Sequence, residues 1–144
     1  MIAGMVFMLG CVGLVGGYMW LKNDRANRPD RIWVPLQLNQ EMTHEQHEEF
    51  ATALREQLIT DEILAAVAKD TGLQQRWPEA SEQEIIADLH KRLIYEIGEY
   101  RYQPSLNIGF RGIRRENQLL RDMTERLMKD LEKIMTQGAP PNAQ

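Results

Sequence analysis

Twenty consecutive residues near the start, Ile2 to Leu21 (IAGMVFMLGCVGLVGGYMWL), carry no ionisable side chain apart from Cys11 and Tyr18. At 1.5 Å of rise per residue, such a run coiled as a helix spans roughly 30 Å, the thickness of a bilayer's hydrocarbon core. Tyr18 and Trp20 stand at one end, where amphipathic rings favour the headgroup level, and Lys22 follows directly. A transmembrane helix over residues 1–21 is therefore expected. Every charged side chain lies behind it, so the rest reads as a water-exposed body tethered to a membrane.

A cleaved leader fits this stretch poorly. It wants a basic start, a shorter apolar run and a small-x-small cleavage site, whereas here only the Met1 amine is positive and no such site follows Gly17. Met8-Leu9-Gly10-Cys11 resembles a lipoprotein box, but cleavage there leaves ten apolar residues unexplained. Gly10, Gly13 and Gly17 recur at i, i+3 and i+7, with Ala3 one heptad earlier. Small residues stacked on one side let a second helix approach closely, so Gly10, Gly13 and Gly17 form the candidate helix-association face. The alternative is the ordinary abundance of glycine in membrane helices.

The body is long enough for one domain. With a net charge of −4 and no basic tract, the chain is not expected to bind nucleic acid. Its single cysteine lies inside the apolar stretch, which excludes an intramolecular disulfide or a thiolate zinc site. The flank of the stretch bears Lys22, Arg25, Arg28 and Arg31 against Asp24 and Asp30, and the positive-inside rule then puts the body in the cytoplasm.

Residues 22–31 read as a polar stalk. Ile32 to Leu38 alternates imperfectly and reads as a strand, which Pro35 either confines to a sheet edge or breaks with a bulge. Thr43, with Gln46 three residues on, forms a capping box opening a helix whose stripe is Phe50, Leu54 and Leu58. Thr60 opens a second helix with Asp61 and Glu62 in its first turn. Gly72 suits the left-handed residue that ends it, with Leu73 closing the cap. Ser81 and Glu84 form a further capping box, before Ile85, Ile86, Leu89 and Leu93. The period then changes to two. Ile94 to Tyr102 and Leu106 to Arg111 read as strands, with Gln103-Pro104-Ser105 a turn or a kink between them. A long helix over about 114–137 carries Leu120, Met123, Leu127, Leu131, Ile134 and Met135 on one stripe, and Gly138 opens a polar tail to residue 144. This order, membrane helix then β-α-α-α-β-β-α, predicts an α+β domain over 32–137, with helices on one face of a small sheet. Its free edge is a natural surface for neighbouring subunits.

No catalytic constellation emerges. His44 and His47 do not make an HExxH and read as solvated residues in an acidic first turn, and His90 reads as surface. Ser81 and Ser105 have cap or turn duties, and no nucleophile elbow, phosphate loop or dinucleotide fingerprint is present. Neither enzyme activity, metal nor cofactor is expected. Arg111, Arg114 and Arg115 are a candidate partner or subunit contact, because cations at a helix start oppose its dipole and call for a neutralising group. Glu96, Glu99 or Glu116 are the acids available within the chain. An ordinary solvated patch is the alternative.

The stretch from Gln57 to Trp77, QLITDEILAAVAKDTGLQQRW, resembles the corresponding segment of chain-length determinant proteins, the polysaccharide co-polymerases. The matching positions are Gln57, Ile59, Thr60, Ile63, Leu64, Val67, Gly72, Leu73 and Trp77. Leu93-Ile94-Tyr95 and Leu106-Asn107-Ile108-Gly109-Phe110 fall where that family has its later strands. The resemblance implies an extracytoplasmic domain on the inner membrane, a homo-oligomer acting in surface-polysaccharide chain length, assembly or export, with polymerase or export proteins as partners. The family's second membrane pass, long helical insertion and tyrosine-kinase module have no counterpart here. The chain is then expected to work with other subunits, not to set polymer length alone. The alternative from the residues themselves is a membrane-tethered adaptor whose acidic body faces the cytoplasm and binds a protein.

Overall fold

The computed structural model describes residue 19 and residues 21–138. Residues 21–26 are helical and lead directly into the first strand. β1 (Pro29–Gln37) is followed by four helices, α1 (His44–Leu58), α2 (Asp61–Asp70), the single turn α3 (Leu73–Arg76) and α4 (Glu82–Arg92). A hairpin of β2 (Leu93–Tyr100) and β3 (Gln103–Ile113) comes next, then a 3-10 turn over Arg114–Glu116 and the long helix α5 (Asn117–Gln137). The fold is α+β. Strand order is β1-β3-β2 and both pairings are antiparallel.

Three of the helices, α1, α2 and α4, begin where a side chain satisfies their first amides. Thr43 Oγ1 accepts from the Gln46 amide while Gln46 Oε1 accepts from the Thr43 amide, and Ser81 and Glu84 do the same for α4. Thr60 Oγ1 accepts from the Ile63 amide to open α2. Gly72 stands at φ +71°, the left-handed region that ends α2 and costs glycine no Cβ clash. Leu73 behind it is buried, closing the cap as its position predicts.

The sheet's two faces follow from register. Ile32, Val34 and Leu36 on β1, Leu106, Ile108 and Phe110 on β3, and Leu93, Tyr95 and Ile97 on β2 stand side by side on one face. The helices pack there, α5 lying against β3 and β1. Leu120, Met123 and Leu127 of α5 join Ile108 and Phe110 in the core, together with Leu54 and Leu58 of α1, Leu64 and Val67 of α2, and Ile85 and Leu89 of α4. Each of these buried aliphatic side chains contributes about 2 kcal/mol relative to exposure.

One open alternative is decided and two expectations change in detail. Pro35 sits in an unbroken ladder on an edge strand, so the edge alternative holds and no bulge forms. The hairpin turns at Arg101-Tyr102, both at positive φ (51° and 65°), and Gln103-Pro104-Ser105 is part of β3. Nothing local marks that turn, because the usual glycine or asparagine is missing. β1 also begins at Pro29, taking in the last three residues read as stalk. Among the described residues no helix is long and apolar enough to cross a membrane. The apolar stretch up to Tyr18, with Gly10, Gly13 and Gly17, lies outside the described residues.

Candidate functional site

β1 starts, β3 ends, α4 ends and α5 starts at one end of the domain. Pro29 pairs with Ile113, Leu93 with Phe110, and the Arg114 amide donates to the Arg28 carbonyl at 2.9 Å. This junction gathers Lys22, Arg25, Arg28, Arg31, Lys91, Arg92, Arg111, Arg114 and Arg115. Nine of the chain's 17 lysines and arginines therefore sit here, against Asp24, Asp30, Asp88, Glu96 and Glu116 out of 21 acids. Between them runs a groove of about 640 Å³, lined by Asp30, Arg31, Lys91, Arg92, Arg111 and Glu116 among others.

The acids here are mostly committed to holding the junction together. Arg92 Nη1 donates to Glu116 Oε2 at 2.8 Å, its Nε lies 2.6 Å from Asp88 Oδ2 without aligning an N–H on it, and its guanidinium covers the Trp77 ring at 5.1 Å. Burial disfavours the Arg92 charge, but Glu116 and Asp88 outweigh it and raise its pKa. Gly112 makes room for this pair, since a Cβ there would stand 2.8 Å from Glu116 Oε2. Asp30 accepts from the Asn117 side-chain amide at 2.7 Å and from the Arg31 backbone amide at 2.9 Å, and these bonds hold its carboxyl below the usual value. Arg31 reaches Glu96 at 3.3 Å.

Arg111, Arg114 and Arg115 are all exposed and come to the same end, as their proximity in sequence suggests. The acids proposed to neutralise them do not. Glu116 serves Arg92 and Glu96 serves Arg31, and among the described residues Glu99 makes no ion pair. Arg115 instead donates to Asn23 Oδ1 at 2.7 Å. Arg111 stands directly opposite Arg31 in the β1–β3 ladder, a like-charge pair in which Glu96 reaches Arg31 while Arg111 makes no ion pair among the described residues. Lys91 and Arg92 belong to this end too, and no local pattern reveals them; the pairing of β2 with β3 brings them in.

The other singled-out residues have structural duties. In the Gln57–Trp77 segment, Leu64, Val67 and Leu73 are buried, Ile59, Ile63 and Trp77 pack half-buried against the core, Thr60 and Gly72 cap helices, and Gln57 is exposed. His44 lies 3.1 Å from Glu48 on the surface, and His90 lies 3.2 Å from Asp61. His47 is not solvated as expected: it is buried, with Nε2 2.7 Å from the Asn39 carbonyl, and it anchors the β1–α1 loop. Among the described residues no group of three or more His, Cys, Asp or Glu converges to hold a metal.

A larger hollow of about 810 Å³ lies beside α2 and α5, and two of its lining cations are paired, Arg126 with Asp70 and Asp130, and Lys133 with Asp130. The basic end differs in sign, since cations outnumber acids there nine to five, whereas acids outnumber cations in the lining of this hollow. The opposite surface feature is the free edge of β1, where Trp33 and Val34 are 37% and 41% exposed. Comparison with protein-family models, with curated proteins and with solved structures finds no match to this chain.

Proposed function

We propose that this is a non-enzymatic, single-pass membrane protein whose α+β body oligomerises and scaffolds or regulates surface-polysaccharide chain length, assembly or export. The observation that carries the reading is the short path between anchor and sheet. The apolar run ends at Leu21 and β1 begins at Pro29, so an open-edged three-stranded sheet is held close to whatever bilayer the run enters. Leu21, 49% exposed, and Met19, 66% exposed, stand clear of the body, as residues at the end of a membrane helix do. Copies gathered through Gly10, Gly13 and Gly17 would bring their β1 edges within reach of one another. The polysaccharide class rests on the resemblance of Gln57–Trp77, whose matching residues other than the exposed Gln57 serve as caps and core and so act through the fold.

Sedimentation of the detergent-solubilised chain is expected to show an oligomer that Gly13→Ile weakens. A monomer at every concentration would sink the association reading. Deleting the gene should alter the length distribution of a surface polysaccharide on a gel, and an unchanged ladder removes that class. A second reading, the cytoplasmic-facing adaptor, is favoured by the basic residues flanking the apolar run. Alkaline phosphatase fused after Gln144 decides between them. An active enzyme supports the extracytoplasmic body, and an inactive one with a fluorescent cytoplasmic fusion supports the adaptor.

A further inference from the structure

The four basic residues that follow the apolar run are only part of a larger surface. Folding adds Lys91, Arg111, Arg114 and Arg115, drawn from α4, β3 and the turn before α5. Arg115 places this surface along the chain. Its guanidinium donates to Asn23 Oδ1, and Asn23 lies two residues beyond Leu21, about 3 Å of helical rise. The headgroup layer is roughly 6 Å deep on each side of the hydrocarbon core. If residues 2–21 fill that core, Lys22, Arg25 and Arg115 stand at the depth of the lipid phosphates. Arg114 is tied to Arg28 at the next level, and Arg31 and Arg111 lie side by side behind it.

The charge pattern names the occupant. Lys22, Arg25, Lys91, Arg111, Arg114 and Arg115 make no ion pair within 4 Å among the described residues, Arg114 feeling Asp30 only at longer range, whereas the acids nearby are held by Arg28, Arg31, Arg92 and Asn117. Arg111, opposed to Arg31 across the ladder while Glu96 serves only Arg31, and the two arginines at a helix start are arrangements that an external anion relieves. Arginine forks match phosphate oxygens in pairs. The rest of the chain carries eight basic and sixteen acidic side chains, so an anionic surface attracts this end and repels the remainder.

We propose that the basic end formed by Lys22, Arg25, Lys91, Arg111, Arg114 and Arg115 docks the domain onto anionic phospholipid headgroups of the bilayer that the apolar run enters. The inference rests on the membrane-anchored reading above. It adds that the body does not swing free on its stalk but stands upright, charge-clamped, with the β1 edge turned sideways towards its neighbours.

Residue-level footprinting of the full chain in lipid vesicles tests this. Lysines are acylated and arginines treated with a dicarbonyl reagent, in neutral phosphatidylcholine and in vesicles containing about one third phosphatidylglycerol. Lys22, Lys91, Arg111, Arg114 and Arg115 are expected to react about threefold more slowly on the anionic vesicles, the Boltzmann factor for a surface potential near −30 mV. Lys129 and Lys133, at the far part of α5, should not change. Salt at about 0.5 M, which shortens the screening length to a few ångströms, should abolish the difference, and this arm needs no substitution.

In the variant Arg111→Gln/Arg114→Gln/Arg115→Gln, Lys91 is expected to regain its neutral-vesicle rate while Lys22, next to the anchor, stays protected. The single Arg111→Gln, at an exposed position, should give part of that effect if the triple variant unfolds. Equal rates on both vesicles overturn the inference while leaving the anchor intact. Protection reproduced by inorganic phosphate on neutral vesicles overturns it in favour of a soluble-phosphate site. A chain that an alkaline carbonate wash removes from vesicles overturns the anchored reading and the docking with it.

Discussion

Gly109 shows how one position can fix the spacing of two strands. A Cβ added there would fall 2.0 Å from the Ile32 carbonyl oxygen and 2.6 Å from Trp33 Cα, both backbone atoms that cannot rotate away. Trp33 and the fully buried Ile94 flank Gly109 in register on the outer face. Gly109→Ala is therefore expected to destabilise the domain by about 3 kcal/mol in denaturant unfolding, as overpacking against a fixed backbone does. Gly98→Ala is the contrast. Its Cβ would meet only the Asn107 side-chain amide at 3.1 Å, which can move, and the cost should stay below about 1 kcal/mol, the penalty-free range for accommodated changes. Equal losses at the two positions would show that strand spacing is not what Gly109 secures. Tyr95 illustrates burial of a different kind. Its hydroxyl donates to the Ala51 carbonyl, and burial raises its pKa to about 12, partly offset by Arg55, whose guanidinium lies over its ring.

Among the elements, β1 and α5 depend on one another at their first residues. α5 has no side-chain cap of its own, and Glu116, the residue before it, is drawn away to Arg92. Asn117 instead donates across to Asp30 on β1. The Asn117 bond, and after it the Arg31 amide, depress the Asp30 pKa below its ordinary 3.8. A carboxylate whose folded value is depressed adds stability above its unfolded value and loses it as pH falls through the lower folded value. The Asp30→Asn variant keeps the shape and removes the charge. Its stability deficit relative to the natural chain is expected to be full above pH 3.8 and to close at more acid pH, followed by unfolding in denaturant across that window. A deficit unchanged by pH would show that the Asp30 charge contributes nothing. At this scale α1, α2 and α4, unlike α5, are self-starting, because Thr43, Thr60 and Ser81 satisfy their first amides within a few residues.

On the scale of the whole molecule, charge and edges set how the domain meets its surroundings. Basic side chains gather where the apolar run enters, acidic ones elsewhere, and β1 leaves one flank of the sheet unpaired. Val34 points to the helix face in register with Ile108 yet stays 41% exposed, because β1 is the outermost strand. A lysine there is the usual guard of a sheet edge. Val34→Lys is accordingly expected to shift the solubilised chain towards monomer in sedimentation while changing thermal stability little. Association unaltered by this change would move the contact away from the β1 edge.

What the sequence determined by itself was whatever depends on neighbours a few residues apart. Capping boxes, the left-handed Gly72, the alternation of Leu106, Ile108 and Phe110, and the apolar stripe of α5 all act over one or two turns, and the α+β element order follows from them. Tertiary structure decided what depends on pairing across the chain. The turn at Arg101-Tyr102 is set by strand register, not by a turn-forming residue. His47 is buried because the β1–α1 loop folds back over it. The basic end exists only because antiparallel pairing returns Arg111 to Arg31 and carries Lys91 and Arg115 to the same place, where Glu96 and Glu116 are taken up by Arg31 and Arg92. Charges separated by tens of residues have no period to betray them, and their sum becomes a surface only once the sheet is closed.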